Sequence, residues 1–261
     1  ASSSQDSVKS AVTNDVDPVL ISEWAQQALS NTISEVYHTR LPGVRGHALA
    51  VGGGGGATES SVLKALRWLK KNQAPEGYWP KTKPAMTGLA ILAYLAHGET
   101  PASEEFGVTV EKALKWMLKN QEESGQFMGR DGHDYSHLIA TYALSEAYGM
   151  TKIRDLKNAA EKAITIIVKG QHPNGGWDYN CHQSTRNDTC YMSWCAQALK
   201  AAKVAGLQVE GLDWACKNAV NGFILNAKGD AELCGFGYTG PAQGGLSAAG
   251  ALCMQILGAG N

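Results

Sequence analysis

Several features are missing from this sequence, and each absence narrows the field. No alternating Val, Ile and Thr run occurs in its 261 residues, so strands are expected only as short pieces. No apolar run reaches the ~20 residues a membrane-spanning helix needs, so no span is expected. Neither charge sign dominates: 23 Lys and Arg against 24 Asp and Glu leave a formal net charge of −1. That balance argues against nucleic acid or an anionic membrane as a partner. The six cysteines form no Cys-x-x-Cys pair, which disfavours a structural zinc ribbon. Five consecutive glycines, Gly52 to Gly56, lack the Gly-Lys-Ser/Thr ending of a phosphate-binding loop and read as a connector.

What is present is a repeat. Lys64-Ala65-Leu66-Arg67-Trp68-Leu69 ending in Asn72-Gln73 returns as Lys112-Ala113-Leu114-Lys115-Trp116-Met117 ending in Asn120-Gln121. It returns more loosely from Lys162-Ala163-Ile164 to Gln171. Each Gln is followed four residues on by Gly77, Gly125 or Gly175, and six on by Trp79, Phe127 or Trp177. A fainter fourth copy keeps Lys217, places Asn226 at the Gln position and carries its aromatic loop as Gly235-Phe236-Gly237-Tyr238. A period near 50 residues marks a repeat architecture whose core runs on from unit to unit.

Each unit divides into an amphipathic helix, an aromatic glycine loop and a second, more apolar helix. Val62, Leu66 and Leu69 share one stripe of the first helix, and the glycine after each Gln reads as a helix stop. The second helices (87–95, 138–148, 192–204 and 246–257) are rich in small residues and poor in charge. Half-exposed helices alternating with buried ones predict an all-α ring of about four hairpins, closed or nearly so, with the apolar helices inside. Residues 57–261 form this domain, together with 17–56, where Asp17-Pro18 opens a helix from about Val19 to Tyr37 and Pro42 to Gly56 forms a loop. Residues 1–16 read as a loose tail. The start at Ala1, without Met, is compatible with a soluble, exported chain whose leader has been removed.

The Gln-x-x-x-Gly-x-aromatic loop after a Lys-Ala-hydrophobic helix resembles the repeat of squalene and oxidosqualene cyclases and protein prenyltransferase β subunits. The resemblance covers about residues 57–258 and implies an α/α toroid, a ring of helical hairpins around an apolar cavity. Tyr135-Ser136-His137-Leu138, Gly175-Gly176-Trp177, Asp188-Thr189 and Trp194 further resemble a bacterial group with prenyltransferase/squalene oxidase repeats. The cyclases' acid motif, Asp-x-Asp-Asp, is absent. The Asp-x-Cys zinc ligands of the prenyltransferases are matched by Asp188-Thr189-Cys190. The position of their third ligand offers Gln243 and no His, so zinc would need His137 or His182 and no cofactor is expected.

Hairpins of this kind bring the N-termini of the inner helices to one face, where their dipoles favour an anionic ligand group. Polar residues concentrate in the same loops. His133 and His137, with Asp134 and Asp188, are candidates for acid–base work near neutral pH. Arg130 and Arg186 are suited to gripping a carboxylate or phosphate, and Tyr78, Tyr135, Tyr179 and Tyr238 to lining a ligand site. Simpler roles compete: Asp134 and Asp188 as helix N-caps, Trp79, Phe127 and Trp177 as packing between hairpins, His97 and His172 as surface or dipole-paired residues. The cysteine cluster permits disulfides, Cys181 with Cys190 being one pairing, while Cys195 and Cys253 read as buried thiols. Three functions stay open. The first is binding of an apolar, isoprenoid-like ligand with an anionic head, by a transferase or cyclase. The second is a uronate lyase using His137 or Tyr135 with Arg130. The third is a non-catalytic module whose ring face binds a protein or cofactor.

Overall fold

The computed structural model describes residues 21–129, 135–229, 234–241 and 245–259. Two short helices come first, α1 (Glu23–Ser30) and α2 (Pro42–Val51), separated by a 3-10 turn at Glu35–Arg40. Four hairpins follow: α3 (Gly56–Lys71) with α4 (Lys83–His97), α5 (Gly107–Lys119) with α6 (Ser136–Thr151), α7 (Arg154–Lys169) with α8 (Thr189–Ala205), and α9 (Leu212–Leu225) with α10 (Ser247–Leu257). In the fourth, the loop carries a two-stranded antiparallel ribbon, β1 (Ala227–Gly229) and β2 (Cys234–Phe236). Among the described residues no helix is long and apolar enough to cross a membrane.

The inner helices α4, α6, α8 and α10 stack in chain order, and α3, α5, α7 and α9 lie outside them. Helix α6 is buried along its whole length except at Tyr142 and Tyr148. Small residues make such stacking possible: Gly88 of α4 lies directly against Ile139 of α6. Hydroxyls inside α6 are satisfied locally, Thr141 and Ser145 donating to the carbonyls of His137 and Thr141 one turn back. Among the described residues no α4–α10 interface comparable with the other inner contacts closes the ring.

A side-chain amide holds each hairpin to the next. Gln73 Nε2 donates to the carbonyls of Gly77 and Thr109, both at 2.9 Å. Gln121 does the same to Gly125 and Ala159, and Gln171 to Gly175 and Ala215. The loop and the first turns of the next outer helix are thereby joined through one amide. The following glycines are not helix stops, since α3, α5 and α7 end several residues earlier. Gly77, Gly125 and Gly175 have φ of 107°, 95° and 92° and press on Lys112, Lys162 and Asn218 of the next outer helix, where a Cβ would collide. The aromatic two residues on is buried in each case. Trp79 and Trp177 donate their indole N–H to the carbonyls of Leu69 and Ile167. Both bonds stay within the indole's own hairpin, whereas the sequence suggested packing between adjacent hairpins.

The N-terminal region departs from expectation. The helix anticipated from Val19 to Tyr37 is the shorter α1, capped by Ser22, whose hydroxyl accepts from the Ala25 N–H. Asp17, Pro18 and the 1–16 tail lie outside the described residues. Residues 42–51, expected as loop, are the helix α2, opened by Pro42 at its first position. The short elements straddle the hairpins. Trp24 donates to Asp155, Tyr37 sits buried against Gly149, and Arg40 pairs with Glu146 at 2.6 Å. Tertiary contacts thus decide the course of a segment whose local signals are weak.

Replacing Gln171 by Leu removes both donated bonds and leaves two carbonyls without that partner. A loss of about 1–3 kcal/mol is expected, read as a lower urea midpoint at unchanged slope. A midpoint within error of the parent would refute the amide's structural weight.

Candidate functional site

His137 opens the second inner helix, and the structure uses it as part of the repeat. The backbone N–H of Phe127 donates to His137 Nδ1 at 3.3 Å, and Nε2 donates to the Ala163 carbonyl at 3.2 Å. In the first and fourth hairpins a hydroxyl takes the same bond, Thr87 from the Trp79 N–H and Ser247 from the Phe236 N–H. Both imidazole nitrogens are therefore engaged. Burial pushes the pKa down to about 4, against a smaller upward effect of the Ala163 carbonyl. The ring is neutral and closed to solvent, so general-base work near neutral pH finds no support in its geometry. His133, Asp134 and Arg130 lie outside the described residues.

The third loop gathers most of the remaining candidates. Asp188 is the N-cap of α8, its carboxylate accepting the Tyr191 N–H at 2.9 Å, and it is fully buried. Its other oxygen meets Arg186 at 2.9 Å, and Arg186 also pairs with Asp178. The guanidinium lies over the rings of Tyr179 and Tyr238, at 5.2 and 5.4 Å from their centroids. The hydroxyls of those two tyrosines meet at 2.6 Å. Tyr135 and Tyr191 complete the aromatic group, with centroids 5.5 to 6.2 Å from their neighbours. Burial works against the Arg186 cation, but Tyr238 and the two carboxylates outweigh it and raise its pKa. Burial also raises the Tyr135 phenol, helped by Tyr179 and Cys190. The aromatic cage is thus filled by the protein's own cation, and two carboxylates outnumber the one guanidinium. Arg186 is not free to grip an anion, and the local charge disfavours one.

Other expectations are corrected here. His97 and His172 are buried, not superficial. His97 lies between Glu99, at 2.7 Å from Nδ1, and Glu59, at 3.1 Å from Nε2. His172 is fixed inside the third loop by Asn187 and the His182 carbonyl. All six cysteines are free thiols, so Cys181 and Cys190 are not bridged. Cys181 instead meets the Tyr191 hydroxyl at 3.6 Å.

Tyr78 is drawn into packing. Its ring meets Trp116 of the next outer helix at 5.5 Å, and Lys83 sits over it at 4.2 Å. The first hairpin has no such cover. Trp68, which occupies the position of Trp116 in the repeat, is 63% exposed, whereas Trp116 is 8% exposed. Between α3 and α4 this leaves an apolar groove of about 380 Å³, lined by Trp68, Leu69, Trp79, Met86 and Leu89, with Lys81 contributing a cation. No motif in the sequence marks this groove. Its signal was the Trp68–Trp116 pairing across the repeat, read against the lack of a preceding aromatic loop.

Residues 63–241 match the family described as the prenyltransferase alpha-alpha toroid domain. The chain belongs to that family. It is similar to lanosterol synthase of Aspergillus fumigatus, 24% identical over 145 residues, which is 50% of this chain and 19% of that protein. It is also similar to squalene–hopene cyclase of Zymomonas mobilis, 22% identical over 191 residues, 61% of this chain and 29% of that protein. The matches thus cover less than a third of either relative's length. Zinc, which the prenyltransferase resemblance implies, does not fit the toroid's residues well. Asp188 is engaged by Arg186 and the α8 backbone, and no group of three His, Cys, Asp or Glu suited to a metal occurs among the described residues.

A neutral buried His137 has a consequence for stability. Its folded pKa lies below the ordinary 6.5, so the folded state favours the neutral form. That contribution is complete above pH 6.5 and fades as pH falls toward 4, by up to about 3 kcal/mol. Between pH 7.5 and 4 the parent protein should lose that much more unfolding free energy than His137→Gln; equal losses would show that the imidazole protonates freely.

Proposed function

We propose that this toroid domain binds an apolar, isoprenoid-like ligand with an anionic head, seated in the α3–α4 groove at the start of α4. The observation that carries the proposal is the groove itself, since its size falls within the roughly 300–1,000 Å³ of small-molecule sites and its walls are aromatic and aliphatic. Two features favour an anionic head at its upper end. Lys81 lines the groove, and no side chain caps the first turn of α4, where the helix dipole is positive. The names of the relatives, a lanosterol synthase and a squalene–hopene cyclase, point to the same ligand class.

The proposal is one of binding. No acid lines the groove to start a cyclisation, and Asp188 and His137 are held by structural partners. The same engagement weakens a lyase reading based on His137.

Farnesyl diphosphate, titrated while tryptophan fluorescence is followed, should give a saturable change that Trp68→Phe largely removes. Met86→Asp, at a partly exposed wall position, should weaken binding at least ten-fold. Lys81→Gly keeps the left-handed φ of 75° accessible and should abolish the preference for farnesyl diphosphate over farnesol. Saturation that Met86→Asp leaves unchanged would place the ligand elsewhere, and no saturable change would reject the proposal.

A further inference from the structure

The third loop sets one thiol against another. Cys181 hydrogen-bonds to the Cys195 thiol of α8 and meets the Tyr191 hydroxyl at 3.6 Å. The third unit departs from the repeat to admit this cysteine. In the first two units the residue before the Gln is Asn72 or Asn120, whose amide donates to the Trp68 or Trp116 carbonyl at 2.8 Å. The third unit has Gly170 there, and a Cβ at that position would collide with the Cys181 Cβ. Asn180 and Cys181 are also held in the left-handed region, at φ of 58° and 55°. Residues other than glycine adopt that conformation under tertiary constraint, and such positions cluster at functional sites.

We propose that Cys181 and Cys195 form a site of reversible oxidation, joined as a disulfide by a hydroperoxide and reopened by a thiol. Cys181 is the attacking residue. It sits on a loop and is 9% exposed, whereas Cys195 is fully buried in α8. The hydrogen bond from Cys195 lowers the Cys181 pKa against the effect of burial, and Tyr191 adds to it. Burial raises the pKa of Cys195. Cys181 is therefore the more readily ionised thiol, and the thiolate is the nucleophile. Its sulfur attacks one oxygen of hydrogen peroxide, the O–O bond breaks, and the departing oxygen leaves as water with the thiol proton. Cys195 sulfur then attacks the sulfenic acid on Cys181, the S–O bond breaks, and hydroxide leaves as a second water with the Cys195 proton. The two thiols lose two electrons, which the peroxide takes up. Cys253 also neighbours Cys195, but its thiol donates to the Ser193 carbonyl at 3.7 Å. The bridge ties the third loop to α8 and does not depend on the α3–α4 groove.

The folded, fully reduced chain is treated with hydrogen peroxide, then unfolded and alkylated with a maleimide. Cys181 and Cys195 should both be lost from the six alkylated cysteines, and peptide mapping should find them linked. Dithiothreitol should restore all six. In Cys195→Ala nothing displaces the hydroxide, so dimedone should trap Cys181 as a sulfenic acid. Mapping of the parent chain needs no variant, so it decides the matter even where Cys195→Ala folds poorly. Cys181 and Cys195 still open to maleimide after the exposed Cys234 has been oxidised would overturn the proposal. A link from Cys181 to Cys190 or Cys253 would overturn it as well.

Discussion

Each hairpin of this arc is joined to the next by one side-chain amide and one glycine. The amide of Gln73, Gln121 or Gln171 spans two carbonyls, one in its own loop and one in the following outer helix. The glycine four residues later brings the loop backbone into contact with that same helix. The two devices depend on each other, because the amide reaches the far carbonyl only if the backbones lie close. Close approach also leaves polar groups shielded from water, and these need partners. The fourth unit shows the alternative. Asn226 turns its amide to the Asn187 carbonyl and the Thr189 hydroxyl, tying the ribbon loop back to the third hairpin.

The same junctions decide where ligand chemistry is available. Where a loop covers the following outer helix, its polar residues become part of the packing: Tyr78 over Trp116, and His137 between Phe127 and Ala163. The third loop closes itself, with Arg186 held by Asp178 and Asp188 inside a tyrosine cage. Among the described residues the first hairpin has no aromatic loop of the repeat before it, and its Trp68 face remains an open apolar groove.

Much of the fold was legible in the sequence. The repeat gave the hairpins and the burial of their second helices, because the burial pattern of a helix is written in its own residues. The short N-terminal helices were less legible. Capping by Ser22 and the start of α2 at Pro42 are local signals, but Tyr37 against Gly149 and Arg40 with Glu146 join parts of the chain more than a hundred residues apart. At the candidate site, the residue types were visible and their engagements were not. His137 looks the same in sequence whether it is an open base or a hydrogen-bonded staple, and only the loop folded over it decides which.

The sequence by itself determined an all-α repeat of helical hairpins, the amphipathic and apolar classes of helix and the near-neutral charge, since these follow from composition and period. The tertiary structure alone decided which polar side chains are free. A side chain's availability depends on what the rest of the chain places within hydrogen-bonding distance, and that distance is set by the packing of neighbouring hairpins.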